Sequence, residues 1–264
     1  MHHLSLRMLG SGTSSGVPRV GGDWGRCNPA NPRNRRRRVS VLVSHGDTRI
    51  LVDTSPDLRE QLLDAGIADV SAVLFTHDHA DHCHGIDDLR PIFHRRRKRV
   101  PCYMDAPTLA TLTRRFDYVF DGHDGYPAIA DAYLAEPAMR FGEVTVRPIL
   151  QGHGPITTLG FRFEAQGRAI AYSTDLDSVP EASWPLLRGL DLWVVDALRR
   201  EPHPTHSHLA QTLGWIARAR PREAWLTHMD QSMDHDELLA ELPPGVSPGF
   251  DGREWSSAGL GAAA

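Results

Sequence analysis

The sequence predicts an α/β protein built in layers, and three observations carry that prediction. Apolar runs of strand length recur along the chain, segments with helical spacing of apolar residues lie between some of them, and 264 residues are ample to bury a core. Candidate strands, in order, are 4–9, 39–43, 48–53, 72–76, 144–149, 161–165, 169–173 and 192–196. The first helix is signalled by Ser55-Pro56-Asp57, an N-cap followed by a proline at the first helical position and an early acid, and Gly66 ends it. Residues 208–218 and 233–242 repeat apolar side chains at helical spacing. Residues 18–34 are rich in Gly, Pro and Asn and predict a long loop, ordered at least in part. No internal repeat is visible, residues 259–264 read as a disordered tail, and a single domain over 1–264 is expected.

Charge and cysteine content narrow the function classes. A formal net charge of -4 and a pI near 6.4 argue against a protein that coats nucleic acid. All but Lys98 of the 29 basic residues are arginine, which suits phosphate recognition and equally a GC-rich genome. Cys27, Cys83 and Cys102 are odd in number and lack C-x-x-C spacing, so neither a disulfide framework nor a cysteine zinc ribbon is indicated and a reducing cytoplasm fits. The opening residues do not read as a signal peptide, and about eighteen consecutive apolar residues occur nowhere, so a soluble cytoplasmic protein is expected.

The chemistry concentrates in Thr76-His77-Asp78-His79-Ala80-Asp81-His82, directly after the apolar run 72–75. A buried strand therefore ends where three imidazoles and two carboxylates begin. Residues two apart on extended chain project to one side, which lets His77 and His79 reach one cation while Asp81 and His82 turn toward a second. A lone histidine would read as a half-buried residue with a backbone partner; three at this spacing read as a metal site.

The H-x-H-x-D-H pattern resembles the signature of the metallo-β-lactamase superfamily, and that resemblance implies a four-layer αβ/βα sandwich. Three later positions match its single ligands, each just after a strand: His153, Asp175 and His228. The resemblance implies that His77, His79 and His153 hold one metal, that Asp81, His82 and His228 hold the other, and that Asp175 bridges them. Asp53, closing the run 50–53, matches the family's first motif, where the acid supports a ligand histidine; a turn aspartate is the plainer alternative. The donors are all nitrogen and oxygen, so two divalent ions are expected, with Zn, Mn and Fe all admissible. Two ions about 3.5–4 Å apart would make hydrolysis the default chemistry.

The run Gly10-Ser11-Gly12-Thr13-Ser14-Ser15-Gly16-Val17-Pro18 resembles the opening of the PhnP-type cyclic phosphodiesterases and, more loosely, of the RNase Z branch. Asn34-Arg35-Arg36-Arg37-Arg38, Leu226-Thr227-His228 and Gly249-Phe250-Asp251-Gly252 are similar to the same family, while residues 90–140 carry little likeness. His206 matches the extra histidine of both branches, which implies a proton donor to the leaving oxygen and, with Asp81 and Asp53, completes the expected catalytic set. His208, His203 and His84 read as solvent-facing or helix-capping.

The implied activity is a dinuclear metal-dependent phosphodiesterase that opens a small cyclic phosphate or nucleotide by attack of a metal-bridging hydroxide. Alternatives are an RNase Z-like nuclease, a thioester or lactone hydrolase on the same metals, and a noncatalytic sensor; the last would be expected to show a broken ligand set, whereas all seven positions are filled. The expected partner is a small phosphorylated substrate, with no membrane, no extended nucleic acid and a homodimer only hinted at by the likeness. PhnP-like proteins often carry a structural zinc near the N-terminus. With only Cys27 in that loop and Gln231 three residues after His228, none is expected here. Arg35 to Arg38 either bind phosphate or face water, and residues 94–99 read as a solvated helix end. Trp24, Tyr126 and Trp255 either stack a base or pack.

Overall fold

Alternation along the strands sorts the apolar side chains onto two faces of each sheet, and this sorting builds the architecture. The structure is a computed structural model and describes residues 2–259; of the tail expected over 259–264, only Gly259 falls within them. One sheet holds β1 (Ser5–Gly10), β2 (Ser40–His45), β3 (Thr48–Val52), β4 (Ala72–Leu74), β5 (Val100–Met104) and β6 (Ala130–Leu134). The second holds β7 (Met139–Phe141), β8 (Val144–His153), β9 (Ile156–Ala165), β10 (Arg168–Ser173), β11 (Leu192–Asp196), β12 (Glu223–Thr227) and β13 (Val246–Pro248), after which β14 (Glu254–Ser256) returns to pair with β1. Each sheet has seven strands, in the orders β14-β1-β2-β3-β4-β5-β6 and β13-β12-β11-β10-β9-β8-β7. Each is half antiparallel and half parallel, the parallel runs being β3 to β6 and β10 to β13.

Ile50 and Val52 point between the sheets with Ile170, Tyr172, Leu192 and Val194, whereas Leu51, Ala171, Trp193 and Val195 point outward. The outward face of the first sheet is covered by α1 (Leu58–Asp64), α2 (Ala80–Cys83), α3 (Arg90–Arg96), α4 (Ala106–Arg115) and α5 (Asp117–Phe120), through Leu58, Ile92, Leu112 and Val119. The outward face of the second is covered by α6 (Leu209–Ala219) and α7 (His235–Glu241), through Leu209, Ile216 and Leu238. The result is the expected four-layer α/β sandwich. Among the described residues no helix is long and apolar enough to cross a membrane.

Element boundaries depart from expectation where side chains take over backbone roles. β4 stops at Leu74, two residues before the predicted end, because the backbone N–H and hydroxyl of Thr76 both turn to the Asp53 carboxylate, at 2.8 Å each. α1 begins at Leu58 and not at Pro56: Asp57 N–H donates to Ser55 Oγ in a preceding turn, and the Asp57 carboxylate leaves the helix for Arg38 N–H at 2.9 Å. Gly66 ends it as predicted, at φ +65°, with Ile67 N–H returning to Leu62 O. β5 and β6 were not predicted. β5 contains Pro101, which lacks the N–H of an ordinary strand residue, and β6 is a half-exposed edge with little apolar contrast.

The loop over 18–34 is tied down by a buried cation, the guanidinium of Arg36. It is 2% exposed and donates to Met233 O (2.5 Å), Asp230 O (3.2 Å), Asn34 Oδ1 (3.3 Å) and Cys27 Sγ (3.7 Å). Asp234 completes the clasp, accepting from Asn28 N–H (2.9 Å) and Asn34 Nδ2 (2.6 Å). Arg37 and Arg38 are likewise engaged, with Asp251 and Asp57, so the reading of this run as a phosphate cradle is overturned for three of its four arginines; Arg35 alone is exposed. Truncating Arg36 strands buried carbonyl oxygens without donors. The variant Arg36→Met is therefore expected to lose about 3 kcal/mol or more of unfolding free energy, read by urea denaturation, whereas Arg35→Met stays within about 0.5 kcal/mol of the parent.

Candidate metal centre

Six strand ends deliver the site, and at three of them the chain adopts a left-handed conformation that most residues avoid. Asp53 (φ 63°) follows β3, Asp175 (φ 51°) follows β10 and His228 (φ 57°) follows β12. An αL residue at a strand end swings its side chain off the sheet face toward the open end of the parallel strands, at a cost of about 1–3 kcal/mol each. His77 follows β4, His153 closes β8 and Asp196 closes β11. Asp81 and His82 lie in the short α2, with His79 at its N-cap.

The side chains gather into two four-residue groups that share Asp175. One is His77, His79, His153 and Asp175; the other is Asp81, His82, Asp175 and His228; within each group one ligand atom per residue lies within 4.8 Å of the others. Asp175 Oδ2 faces the first group, 3.9 Å from Nε2 of both His77 and His153, and Oδ1 faces the second, 3.1 Å from His82 Nε2 and 3.4 Å from His228 Nε2. Asp81 Oδ2 adds 3.4 Å to His82 Nε2 and 3.5 Å to His228 Nε2. All seven predicted residues are therefore brought together. His79 is exposed and the others are buried, so the first group opens toward solvent.

Neighbours aim the rings. His82 Nδ1 meets Asp53 Oδ2 at 2.7 Å, His153 Nδ1 meets Thr205 O at 2.5 Å and His77 Nδ1 meets Thr76 Oγ1 at 3.0 Å, each leaving Nε2 to the site. Those inward atoms are poorly served by the protein itself. His77 Nε2, His82 Nε2, His228 Nε2 and Asp81 Oδ2 are buried without a hydrogen-bond partner. Lone pairs that converge on common points and miss each other's hydrogen-bond directions fit divalent cations, and the nitrogen and oxygen donor set suits Zn, Mn or Fe.

Protonation follows the same charges. Burial depresses the His77 imidazole well below its ordinary pKa, with the neighbouring His82 adding to the effect. Burial would also depress His82 and His228, but the Asp175 carboxylate outweighs it, aided by Asp81, and holds His82 well above the ordinary range and His228 at about 9. Burial raises the Asp53 carboxyl, against the pull of His82. Asp81 and Asp175, despite burial, are held below the ordinary carboxylate range by the surrounding imidazoles.

His206 stands beside both groups, its ring 4.8 Å from His228 and 4.7 Å from His153, with Nε2 3.9 Å from Asp175 Oδ2. Its Nδ1 meets Asp196 Oδ2 at 3.0 Å, and Asp196 is itself held by Leu176 N–H at 3.3 Å. Sequence reasoning missed Asp196: a single aspartate closing a strand carries no pattern, and only its distance to His206 marks it. His203 also differs from expectation. It accepts from Thr205 N–H at 3.3 Å and tilts against His206 at 5.1 Å, so it belongs to the rim of the site and not to open solvent. His208 opens α6 as predicted and is half-buried, His84 is exposed, and residues 94–96 end α3. Trp255 is buried between the sheets, Trp24 is half-buried and Tyr126 is exposed.

Comparison with known proteins agrees with this geometry. The family described as Beta-lactamase superfamily domain matches residues 48–229. A Porphyromonas gingivalis protein named octanoyltransferase is 36% identical over 254 residues, 94% of this chain and 50% of its own length, so the chain spans half of that relative. A ribonuclease Z of Mycobacterium bovis is 30% identical over 192 residues, 64% of this chain and 67% of its own. Among solved structures, a diphosphatase of the PhnP family superposes with TM-score 0.89 at 36% identity, covering 97% of this chain and 98% of that one. The short form of human tRNase Z, at 17% identity and TM-score 0.67 over 95% and 98%, shares the fold.

Two outcomes are expected. Asp53→Asn frees the His82 ring and lowers metal affinity about 10–100-fold in chelator-buffered titrations. In chelator-treated protein, the charge pairing of His228 is fully stabilising below the unfolded imidazole pKa of about 6.5 and is lost as pH rises through about 9. The melting temperature of the chelated sample should therefore fall between those limits, and the metal-loaded sample, whose histidines are already neutral, should hold steady across them.

Proposed function

Because the chain belongs to the metallo-β-lactamase superfamily, in its PhnP-like branch, we propose that this hydrolase is a dinuclear metal-dependent phosphodiesterase acting on a small phosphorylated molecule. His77, His79, His153 and Asp175 would hold one ion and Asp81, His82, His228 and Asp175 the other. Ions so held supply Lewis acidity toward a phosphoryl oxygen and an activated water. The observation that carries the reading is the Asp196–His206 pair, an imidazole buttressed through Nδ1 and facing both groups through Nε2.

That arrangement suits donation of the Nε2 proton to a departing alkoxide. Asp196 accepts a hydrogen bond from Nδ1–H and so orients the ring with Nε2 toward the site. Asp53 acts one step back, as a positioning residue for His82. Asp81 approaches both His82 and His228 and would join them in holding the second ion.

A small cyclic phosphate or nucleotide is the first substrate to test, and a diphosphate linkage the second, favoured by the PhnP-family diphosphatase. The octanoyltransferase name points to acyl transfer, but the chain spans only half of that protein. The site offers no thiol for covalent acyl transfer: Cys83, near the metal motif, is buried and its thiol is pushed up to about 12 by desolvation. The test is turnover of cyclic nucleotides and a diphosphate by the Mn- or Zn-loaded protein, with RNA at varied salt, a thioester and a lactone alongside. His206→Ala is expected to lower kcat about 10²–10⁴-fold on an alkyl ester, far less on a nitrophenyl ester, with metal content unchanged. Equal loss on both leaving groups would remove the proton-donor role.

A further inference from the structure

Between β13, α7 and the turn before β14 lies a pocket of about 430 Å³ that no member of either ligand group lines. Two guanidinium groups border it, Arg33 from the loop over 18–34 and Arg253 from the turn, and among the described residues neither forms an ion pair. Both stand over one ring, that of Phe250, with Cζ 5.0 and 5.7 Å from its centroid. His235, at the start of α7, meets the same ring nearly at right angles at 5.8 Å, and Leu239 adds an exposed apolar side chain. The pocket is preformed: His235 N–H donates to Asn34 Oδ1 at 2.8 Å, which ties the α7 wall to the Arg36 clasp.

The contacts that place these cations do not neutralise them. Arg253 lies over the Trp225 indole at 3.9 Å and directs Nη1 to Ser247 Oγ (2.8 Å) and Pro248 O (2.9 Å), so Nε and Nη2 have no acceptor among the described residues. Burial pushes its pKa down to about 10, with Arg33 adding to the effect, and the group is still a cation at neutral pH. Arg33 has the Phe250 ring as its neighbour, which supplies no counter-charge. Glu254, the carboxylate that lines the pocket, is turned to Arg7 at 3.0 Å, and Asp236 beside it meets His235 Nδ1 at 3.1 Å. The pocket therefore presents unmatched positive charge on a chain whose formal net charge is -4.

We infer that this pocket is a second, noncatalytic ligand site for a phosphate monoester that carries a flat apolar or aromatic group. Guanidinium N–H groups without acceptors match the oxygens of a doubly charged phosphate, and Phe250 and Leu239 give the attached group a surface to pack on. Monoesters of this kind are what hydrolysis of a phosphodiester releases, but the charge and shape of the pocket call for one whatever reaction the metals perform.

The test titrates phenylphosphonate, a monoester analogue that resists hydrolysis, into the Zn-loaded protein by calorimetry, with turnover of bis(4-nitrophenyl) phosphate as a separate measure of the metal centre. Arg33→Glu, a change at an exposed position that supplies Arg253 with a carboxylate, should abolish one equivalent of binding. Metal content, melting temperature and diester turnover should stay as in the parent. Arg253→Met should weaken the same equivalent at least about tenfold, and methylphosphonate should bind the parent at least about threefold more weakly than phenylphosphonate. NMR signals of the His235 ring should move on titration of the parent and stay still in Arg33→Glu. Binding that both variants leave unchanged confines the ligand to the metal centre and overturns the inference, as does a failure of phenylphosphonate to bind at all. Equal affinity for methylphosphonate overturns the place given to the ring. A protein without diester turnover that keeps the Arg33-dependent equivalent overturns the phosphodiesterase reading and upholds this site.

Discussion

One carboxylate organises the centre of this molecule. Asp175 has five imidazoles around it, those of His77, His153 and His206 on Oδ2 and those of His82 and His228 on Oδ1, all within 3.9 Å. Those rings come from the segment after β4, the end of β8, α2, the segment before α6 and the residue just after β12, so both sheets meet through it. Such a cluster, taken out of water, is strained on its own terms: rings crowd each other and the inward Nε2 atoms of His77, His82 and His228 lack hydrogen-bond partners. Divalent cations, which the fold implies, would resolve both problems together, and this links the charge balance of the site to the docking of the two sheets.

The demand for convergence also explains where the backbone is strained. Strand side chains alternate between faces of a sheet, and neither face is the end of the sheet where a ligand can sit between the two layers. The αL conformation at Asp53, Asp175 and His228 supplies the missing direction. Asp53 shows the return on that strain, since from the same position it receives Thr76 N–H and Oγ1 and the His82 ring, fixing the exit of β4 and the orientation of His82 together.

What could be read in the sequence followed from locality. His77, His79, Asp81 and His82 lie within six residues, so their spacing alone announces a metal site, and the sheet cores follow from runs such as 50–52 and 192–195 that alternate between faces. His153, Asp175 and His228 are each solitary and became legible only as an ordered set. Asp196 stayed hidden because its function consists of a distance to a residue ten positions on. Arg36 stayed hidden for a different reason: a run of four arginines reads as surface, and nothing in the run marks which one turns inward.

Arg36 connects the loop over 18–34 to the site. Its acceptors include the carbonyls of Asp230 and Met233, just beyond His228, and Cys27 from the loop. On the same side Asp251 accepts from Ser11 Oγ at 2.8 Å and Arg37 N–H at 2.8 Å, fastening the turn before β14 to the glycine-rich opening. Thr13 N–H in turn donates to Met229 O at 3.2 Å. Two polar clasps therefore grip the segment around His228 from both ends of the sequence. A guanidinium, fixed in charge and offering five directed donors, can gather the Asp230 and Met233 carbonyls, the Asn34 amide oxygen and the Cys27 sulfur together, where a neutral side chain would leave them unpaired and buried. Loop order in this protein thus rests on a cation carried by the chain itself, and His228, the last member of the two groups in sequence, sits between contacts that need no bound ion.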